Sequence, residues 1–518
     1  MKKTIIAILS VFALVACNGW LQERGPMTNT AADYLTGYQA AKQVVTAAYV
    51  PAMWEFQNTY YSEFFFGDIL SDDALKGGQN TQDMSDVYYL ENFKPADNLS
   101  ILLDYWRAQY QGIARANLAI EQISAMEAEV PQAGTDSTDV LTALRRKHLL
   151  GEVRFMRAFY YFRLVRLYGA VPIVTDPIYS VEGWKVPRAE SARKVYDDVI
   201  IPDLEYAAAN LPRKSEYDAA DMGRATQGAA QAMLLKAYLY LKDYTNAATW
   251  GQTFLTDQAG EYSLCANYVD NFTLAGENGD ESVFEVQYMA EPTSDYGEGN
   301  GFTRGTFTTI LTRARSGLSG TVTGWGFNRP TRDLYNEYEA GDPRRDATIL
   351  VPLPSEIKNE SEDVYLGDSL INIKRTLLEP ATRTYAKLDH DSRSPINLIV
   401  IRLADVYLMY AEACQGSTTS WDYIDMVRGR VGLAPADRTG DFTTALRHER
   451  RVELAMEGHR WFDLCRWGIV KDVMNAYRAG ESDEVKEHMS EFQDGFELMP
   501  IPYEEVRLGD LEQNPAYK

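Results

Sequence analysis

The chain has 518 residues, 45% hydrophobic and 24% charged, which supplies a large packed core and rules out a disordered or fibrous protein. Its formal net charge of −23 excludes the basic face that nucleic-acid phosphates require. Tyrosine leads the aromatics, 33 against 19 Phe and 9 Trp, a bias that suits wet interfaces because the ring is apolar and its hydroxyl is not.

The first element reads as a secretory signal over residues 1–16: Lys2-Lys3, then an apolar run from Ile5 to Val15 broken by Ser10. Eleven helical residues rise about 16 Å, short of the roughly 30 Å hydrocarbon core, so this run does not span a bilayer. Leu14-Val15-Ala16-Cys17 resembles the lipobox of bacterial lipoproteins, which implies acylation of Cys17 as a lipid anchor. Residues 17–29, polar with Gly25 and Pro26, complete an anchor and tether. Only Cys265, Cys414 and Cys465 follow, an odd number without metal-type spacing, so free thiols are expected rather than a disulfide framework.

Residues 30–255 read as a helical region. Phe155, Ala158, Phe159, Phe162 and Val165 recur at i, i+3, i+4, i+7 with Arg154, Arg157, Arg163 and Arg166 flanking them, and Gly169 and Pro172 close the segment. Ala229 to Leu241 and Tyr244 to Leu255 form a pair around Lys242-Asp243, and Leu398 to Cys414 with Trp421 to Val431 predicts another. Such pairs are similar to degenerate tetratricopeptide hairpins, so the predicted fold is mostly α, a curved scaffold of stacked hairpins. Residues 256–400 differ in texture, with Gly, Thr, Asn and Pro, β-type runs such as Val283 to Tyr288, and Gly-rich stretches at 297–305 and 316–326. They predict a loop-rich irregular insertion with short β-strands that faces the ligand, since loops on rigid scaffolds carry binding surfaces. Residues 401–518 read as a C-terminal helical region packing on the scaffold.

Four stretches together resemble the SusD/RagB family of nutrient-uptake lipoproteins. They are the lipobox with Trp20-Leu21; Tyr110 to Asn117 with Arg154 to Phe162 and Tyr168 to Pro172; Gly341 to Arg345 with Ile401 to Glu412; and Arg447 to Leu464, closing on Pro500-Ile-Pro502 and Asn514-Pro515. The resemblance implies a tetratricopeptide-like fold and a surface-exposed, lipid-anchored protein of the cell outer membrane. It also implies binding of an oligo- or polysaccharide and delivery to a SusC-like TonB-dependent transporter. Peptide or glycoprotein glycan in the same kind of complex is the alternative ligand, and a surface glycoside hydrolase is the rival activity.

The catalytic signals point elsewhere than catalysis. His448-Glu449 suggests a zinc peptidase, but Val452 stands where the second His of HExxH belongs. Read as one helix, His448 and His459 lie about 16 Å apart, too far to share a zinc ion with bonds near 2 Å. Glu449, Glu453 and Glu457 at i, i+4, i+8 among Arg447, Arg450 and Arg451 predict intrahelical ion pairs. Asp72-Asp73 is a carboxylate pair of the kind glycosidases use across a sugar, yet 74 acids make such pairs frequent by chance. With no nucleophile elbow, phosphate-cradling loop or dinucleotide fingerprint, the chain reads as a non-enzyme without metal or cofactor.

Sugars stack their C–H faces on aromatic rings while Asn, Asp, Gln or Arg bond the hydroxyls. Two stretches have that mixture: Gly77-Gly-Gln-Asn80 running to Tyr88-Tyr89, and Tyr296 with Gly324-Trp-Gly-Phe-Asn-Arg329. Trp325, between two glycines, is the first candidate; Asn80, Tyr88, Tyr89, Tyr296 and Arg329 follow. Core packing and transporter contact are the competing roles for each aromatic. No Trp occurs between Leu75 and Leu103, where starch-binding members of the family carry one, which weighs against starch.

Overall fold

The computed structural model describes residues 36–132, 137–290, 304–315, 324–353, 370–379, 382–388 and 394–518. In chain order, α1 (Gly37–Tyr49) is followed by the short α2 (Glu63–Gly67), strand β1 (Ala74–Gly77) and α3 (Ser85–Glu91). The long α4 (Ser100–Ala125) and α5 (Ala143–Tyr168) make the first hairpin, α6 (Ile201–Asn210) packs on α5, and α7 (Gln227–Tyr240) with α8 (Tyr244–Asp257) makes the second. Beyond its exposed first turns, helix α5 is buried on all sides from Leu149 to Tyr168, so Arg157 and Arg163 are interior side chains, paired with Asp203 and Glu63. It stops at Gly169, whose φ of +74° a side chain would oppose. At Gly112 of α4 an added Cβ would stand 2.4 Å from the Tyr160 ring of α5, so the bare backbone permits the close approach of the two helices.

The insertion carries β2 (Ser282–Val286), α9 (Thr308–Thr312), β3 (Phe327–Pro330), α10 (Arg332–Glu337), α11 (Pro343–Thr348), β4 (Ile349–Leu350), β5 (Ile371–Asn372), β6 (Leu378–Glu379), β7 (Thr384–Tyr385) and β8 (Leu398–Arg402). Among the described residues these make only two-stranded antiparallel ribbons, β1–β3, β2–β8, β4–β5 and β6–β7. The β1–β3 ribbon ties the insertion to the N-terminal region, the β2–β8 ribbon joins its beginning to its end, and one apolar cluster runs from Ala52 to Leu511 across it.

The chain continues with α12 (Leu403–Ala413), α13 (Thr418–Arg430), α14 (Phe442–Glu453), α15 (Arg460–Trp467), α16 (Val470–Gly480), α17 (Asp483–His488) and α18 (Tyr503–Gly509). The α12–α13 hairpin docks on α8, so the helical stack resumes beyond the insertion. The frame is therefore the mostly α stack of tetratricopeptide-like hairpins that the helical pairs predict.

Two expectations are corrected. The predicted helix from Leu398 is a strand as far as Arg402, paired with β2 from Ser282↔Arg402 to Val286↔Leu398, and the helix begins only at Leu403. Ile399-Val400-Ile401 are β-branched, crowded in a helix and well placed on a pleated ribbon. His448 and His459 do not share a helix either: α14 ends at Glu453, and Met456 and Gly458 turn the chain through positive φ before α15. Among the described residues no helix is long and apolar enough to cross a membrane.

Candidate functional site

The acids of α14 are used by the fold. Glu453 meets Arg344 at 2.9 Å and also Arg402 and Arg430; Glu449 meets Arg344 and, at 3.1 Å, Arg428; Glu457 meets Arg402 and Lys374, each at 2.8 Å. None of these partners is in α14, which corrects the intrahelical pairing: Glu449 and Glu453 turn inward from the helix, Glu457 joins them from the turn beyond its end, and their cations come from the insertion and from β8 and α13. Burial pushes the Glu453 carboxyl up, but Arg430, Arg402 and Arg344 together hold it well below the usual range. Asp72 and Asp73 are equally committed, with Arg460 2.8 Å from Asp72 and Arg451 2.7 Å from Asp73. His448 faces Glu337 at 2.7 Å, and among the described residues no cluster of His, Cys, Asp or Glu is placed to hold a metal ion.

The uncharged candidates behave differently. Trp325 is held by its backbone: the N–H groups of Gly324, Trp325 and Gly326 donate to the carbonyls of Ala314, Ile310 and Arg313 at the end of α9, at 2.7, 2.9 and 2.9 Å. These bonds cap the orphan carbonyls of a short helix and fix the direction of the ring. The ring is half-buried and meets the Tyr60 ring edge-on, with centroids 5.3 Å apart. Tyr60 in turn lies 4.9 Å from Phe56 and 5.0 Å from the buried Phe307. Phe56, Tyr60 and Trp325 thus form one partly exposed aromatic face with Phe307 beneath it.

Buried carboxylates brace that face. Asp104 of α4 accepts the N–H groups of Asn58 and Thr59 at 2.7 and 2.8 Å, pinning the tight turn between Phe56 and Tyr60. Glu55 accepts Phe307 N–H at 2.7 Å and the hydroxyls of Thr306 and Thr308. At its edge the face meets the Gly77–Asn80 loop, brought there by the β1–β3 register Gly77↔Phe327 and by Gly78 N–H donating to Gly326 O at 3.0 Å. A Cβ on Gly77 would stand 2.1 Å from that carbonyl, so the approach requires glycine. The loop is wired from within: the buried Lys76 ammonium donates to Gly77 O and Asn80 O at 3.0 Å each, while Asn80 Oδ1 accepts from the N–H groups of Gln82 and Asp83.

The structure therefore brings Trp325 and Asn80 to one place. Arg329 lies on β3 but is buried, its side chain folded under Gly77, so it supports the loop from below. Tyr88 and Tyr89 sit on α3, joined to β1 through Glu91, which accepts Lys76 N–H at 2.7 Å. Tyr88 turns toward α17, its hydroxyl 2.9 Å from His488 Nδ1, and Tyr89 is exposed beside it. Cys17 and Tyr296 lie outside the described residues. Sequence reasoning missed Phe56 and Tyr60, although Phe56-Gln-Asn-Thr-Tyr60 carries the same mixture of aromatic and amide side chains as the stretches it chose.

A stack of tetratricopeptide-like helix pairs that holds a braced aromatic face where the 56–60 turn meets its irregular insertion defines a helical scaffold with a loop-built surface. A model of the SusD family matches residues 372–517, and one described as "Starch-binding associating with outer membrane" matches 31–239. The chain belongs to the SusD/RagB family. SusD-like protein P25 of Formosa agariphila is 24% identical over 92% of this chain and 91% of its own. Among solved structures, a laminarin-binding SusD-like protein superposes with a TM-score of 0.76 at 28% identity, covering 93% of this chain and 100% of that one. Surface glycan-binding protein A from Bacteroides thetaiotaomicron, solved with laminarihexaose, superposes at 0.73 over 92% of this chain and 99% of its own; at 21% identity it speaks for the fold alone.

Proposed function

We propose that this protein is the non-catalytic surface lipoprotein of an outer-membrane uptake pair, anchored through Cys17 and facing the cell exterior. It binds a glycan at the Phe56–Tyr60–Trp325 face and delivers it to a SusC-like TonB-dependent transporter. The observation that carries the reading is the face itself. Three rings stay partly open on backbone whose N–H groups make six hydrogen bonds to Glu55, Asp104 and the end of α9, so little order has to be gained on binding. The rings offer C–H stacking, and Asn58 and Gln79 are exposed at the rim, the Asn58 amide nitrogen being held by Asp104 Oδ1 at 2.8 Å. The absence of catalysis is favoured by the acids that might have supplied it, since Asp72, Asp73, Glu449, Glu453 and Glu457 are all ion-paired in the interior. The SusD-like names of its relatives, and a similar protein named for laminarin binding, favour a glycan as ligand.

The test is Trp325→Ala in the soluble form lacking residues 1–17. Loss of one stacking face weakens polysaccharide binding by about 1 to 3 kcal/mol, or about 5- to 150-fold, measured by affinity electrophoresis and calorimetry. Deleting a fully buried Trp instead costs about 3 to 5 kcal/mol of stability. A variant that loses that much stability and keeps its affinity would assign Trp325 to the core and remove the site.

A further inference from the structure

A second aromatic surface lies away from Trp325, on the loop that follows α5. Its ends are stapled: Pro172 and Arg188 form an antiparallel bridge, Ala189 N–H donates to Val171 O at 3.1 Å, and the Arg188 guanidinium donates to Ala170 O at 2.7 Å and Asn514 Oδ1 at 2.6 Å. Between the staples the loop runs along α4, held by Tyr110 to Pro172 O at 2.8 Å, Asn117 to Val174 O at 2.9 Å and the Tyr179 hydroxyl to Glu121. A loop closed at its base and packed on a helix is an Ω-loop, a unit that often carries function. Here it leaves Trp184 41% and Tyr179 74% exposed.

Trp184 does not stand over a flat surface. Together with α4 and α18 it walls a cleft of about 430 Å³, within the roughly 300 to 1,000 Å³ of small-molecule sites. Trp106 and Tyr110, tilted by 38° with centroids 5.0 Å apart, form an apolar wall. Three polar side chains from two helices border it: Arg107 and Gln111 of α4 and Glu505 of α18. Among the described residues nothing bonds the Gln111 amide, and Arg107 is held by Glu504 at 2.5 Å with Glu505 at 4.0 Å. One exposed indole, an apolar wall and an amide, a guanidinium and a carboxylate at the rim are the groups a pyranose needs: a ring face to stack on and bonding partners for equatorial hydroxyls.

We propose that the cleft between the 172–188 loop and α4 is a second carbohydrate-binding site, which takes a sugar unit of the same glycan class against Trp184. This rests on the reading of the chain as a glycan-binding protein but not on the Trp325 face. A partner protein is less well served, because a stable protein interface needs about 800 Å² per side and fills it with a broad surface. Two sites on one body would grip a polymer at two points, which raises affinity for long chains over that for short ones without any new contact.

The test compares the soluble wild type with Trp184→Ala, Gln111→Ala, Trp325→Ala and the Trp184→Ala/Trp325→Ala double variant. Affinity gels containing laminarin, xylan, galactomannan and starch find the polymer that retards the wild type, and calorimetry with its hexasaccharide counts sites. The expected stoichiometry is two for the wild type, one for either Trp single variant and none for the double. Polymer affinity falls at least about tenfold in Trp184→Ala and less in Gln111→Ala, with unchanged melting curves. A Trp184→Ala protein that matches wild type in stoichiometry and polymer affinity, while Trp325→Ala loses both, overturns the second site and leaves the first standing. Loss of transporter capture from outer membranes by Trp184→Ala, with glycan stoichiometry kept, also overturns it and makes the cleft a protein contact. A wild type that no polymer retards removes both sites together.

Discussion

The interior around α14 and the face around Trp325 are built on opposite terms. Around α14, arginines from the insertion, β8 and α13 close on Glu449, Glu453 and Glu457, all side chains essentially out of solvent and each charge answered by another. Around Trp325 the buried carboxylates of Glu55 and Asp104 accept only neutral backbone and side-chain donors among their described bonds, and what reaches the surface is uncharged ring. The difference teaches where chemistry is available. Charge clusters that look reactive in sequence are spent on holding distant segments together, whereas the rings left open at the Trp325 face carry no charge.

The largest expected effect lies in the interior. Arg402 bonds Glu281, Glu453 and Glu457 with 1% of its side chain exposed. Arg402→Met fills similar space but leaves three buried carboxylates short of a cation, and breaking one member of such a set costs about 3 to 5 kcal/mol. Urea unfolding should show that loss, while glycan affinity of the folded fraction changes less than about twofold. A variant that loses under about 1 kcal/mol would mean that the network is no more than surface-like pairing, and the contrast between the two regions would collapse.

Asp68 sits between them, and sharpens the contrast through pH. It is fully buried, accepting from Asn328 Nδ2 at 3.0 Å and Gly458 N–H at 2.8 Å, and burial pushes its carboxyl from 3.8 up to about 6. An acid with a higher pKa in the fold binds its proton more tightly when folded. Its ionised form therefore becomes a growing burden as pH rises from about 4 to about 6 and a constant one above. Asp68→Asn removes that burden, and Asn328 can turn its amide so that its otherwise unbonded Oδ1 accepts the new Nδ2–H. The variant should be more stable than wild type at pH 8, by up to about 3 kcal/mol from a shift of that size, with the gain fading below about pH 5. A difference that does not change with pH would show that Asp68 is already protonated or well compensated.

The hairpin frame was legible because its signals are local: apolar spacing along α5, the Gly169 stop, and the Lys242-Asp243 turn, where Lys242 takes positive φ and Asp243 caps α8. The β8 strand was missed because apolar periodicity over Leu398–Arg402 is too short to tell strand from helix, and its partner β2 lies more than a hundred residues away. The partners of Glu453 were missed for the same reason, being 23 to 109 residues distant. Of the site, Trp325 stood out because two glycines bracket it. Phe56 and Tyr60 did not, since only the bracing of their turn by Asp104 of α4 distinguishes them from ordinary core aromatics.

Tyr89 supplies the smallest effect and marks the edge of the face. Gly78 joins the Gly77–Asn80 loop directly to Gly326, next to Trp325, whereas α3 is bonded to β1 through Glu91, whose carboxyl burial raises to about 7 and which accepts Lys76 N–H. The Tyr88–Tyr89 pair, with centroids 5.6 Å apart, is drawn toward His488 on α17 rather than toward Tyr60. Tyr89→Ser, at a 43% exposed position on a seven-residue helix, should therefore leave stability within about 0.5 kcal/mol. It should change hexasaccharide affinity less than about twofold, whereas Trp325→Ala changes it severalfold or more. If Tyr89→Ser weakens binding as much as Trp325→Ala does, the ligand must cross β1 and rest on α3 as well. The binding surface would then be a broad arc reaching from Tyr60 to α17, and the division drawn here between a compact face and its supports would have to move.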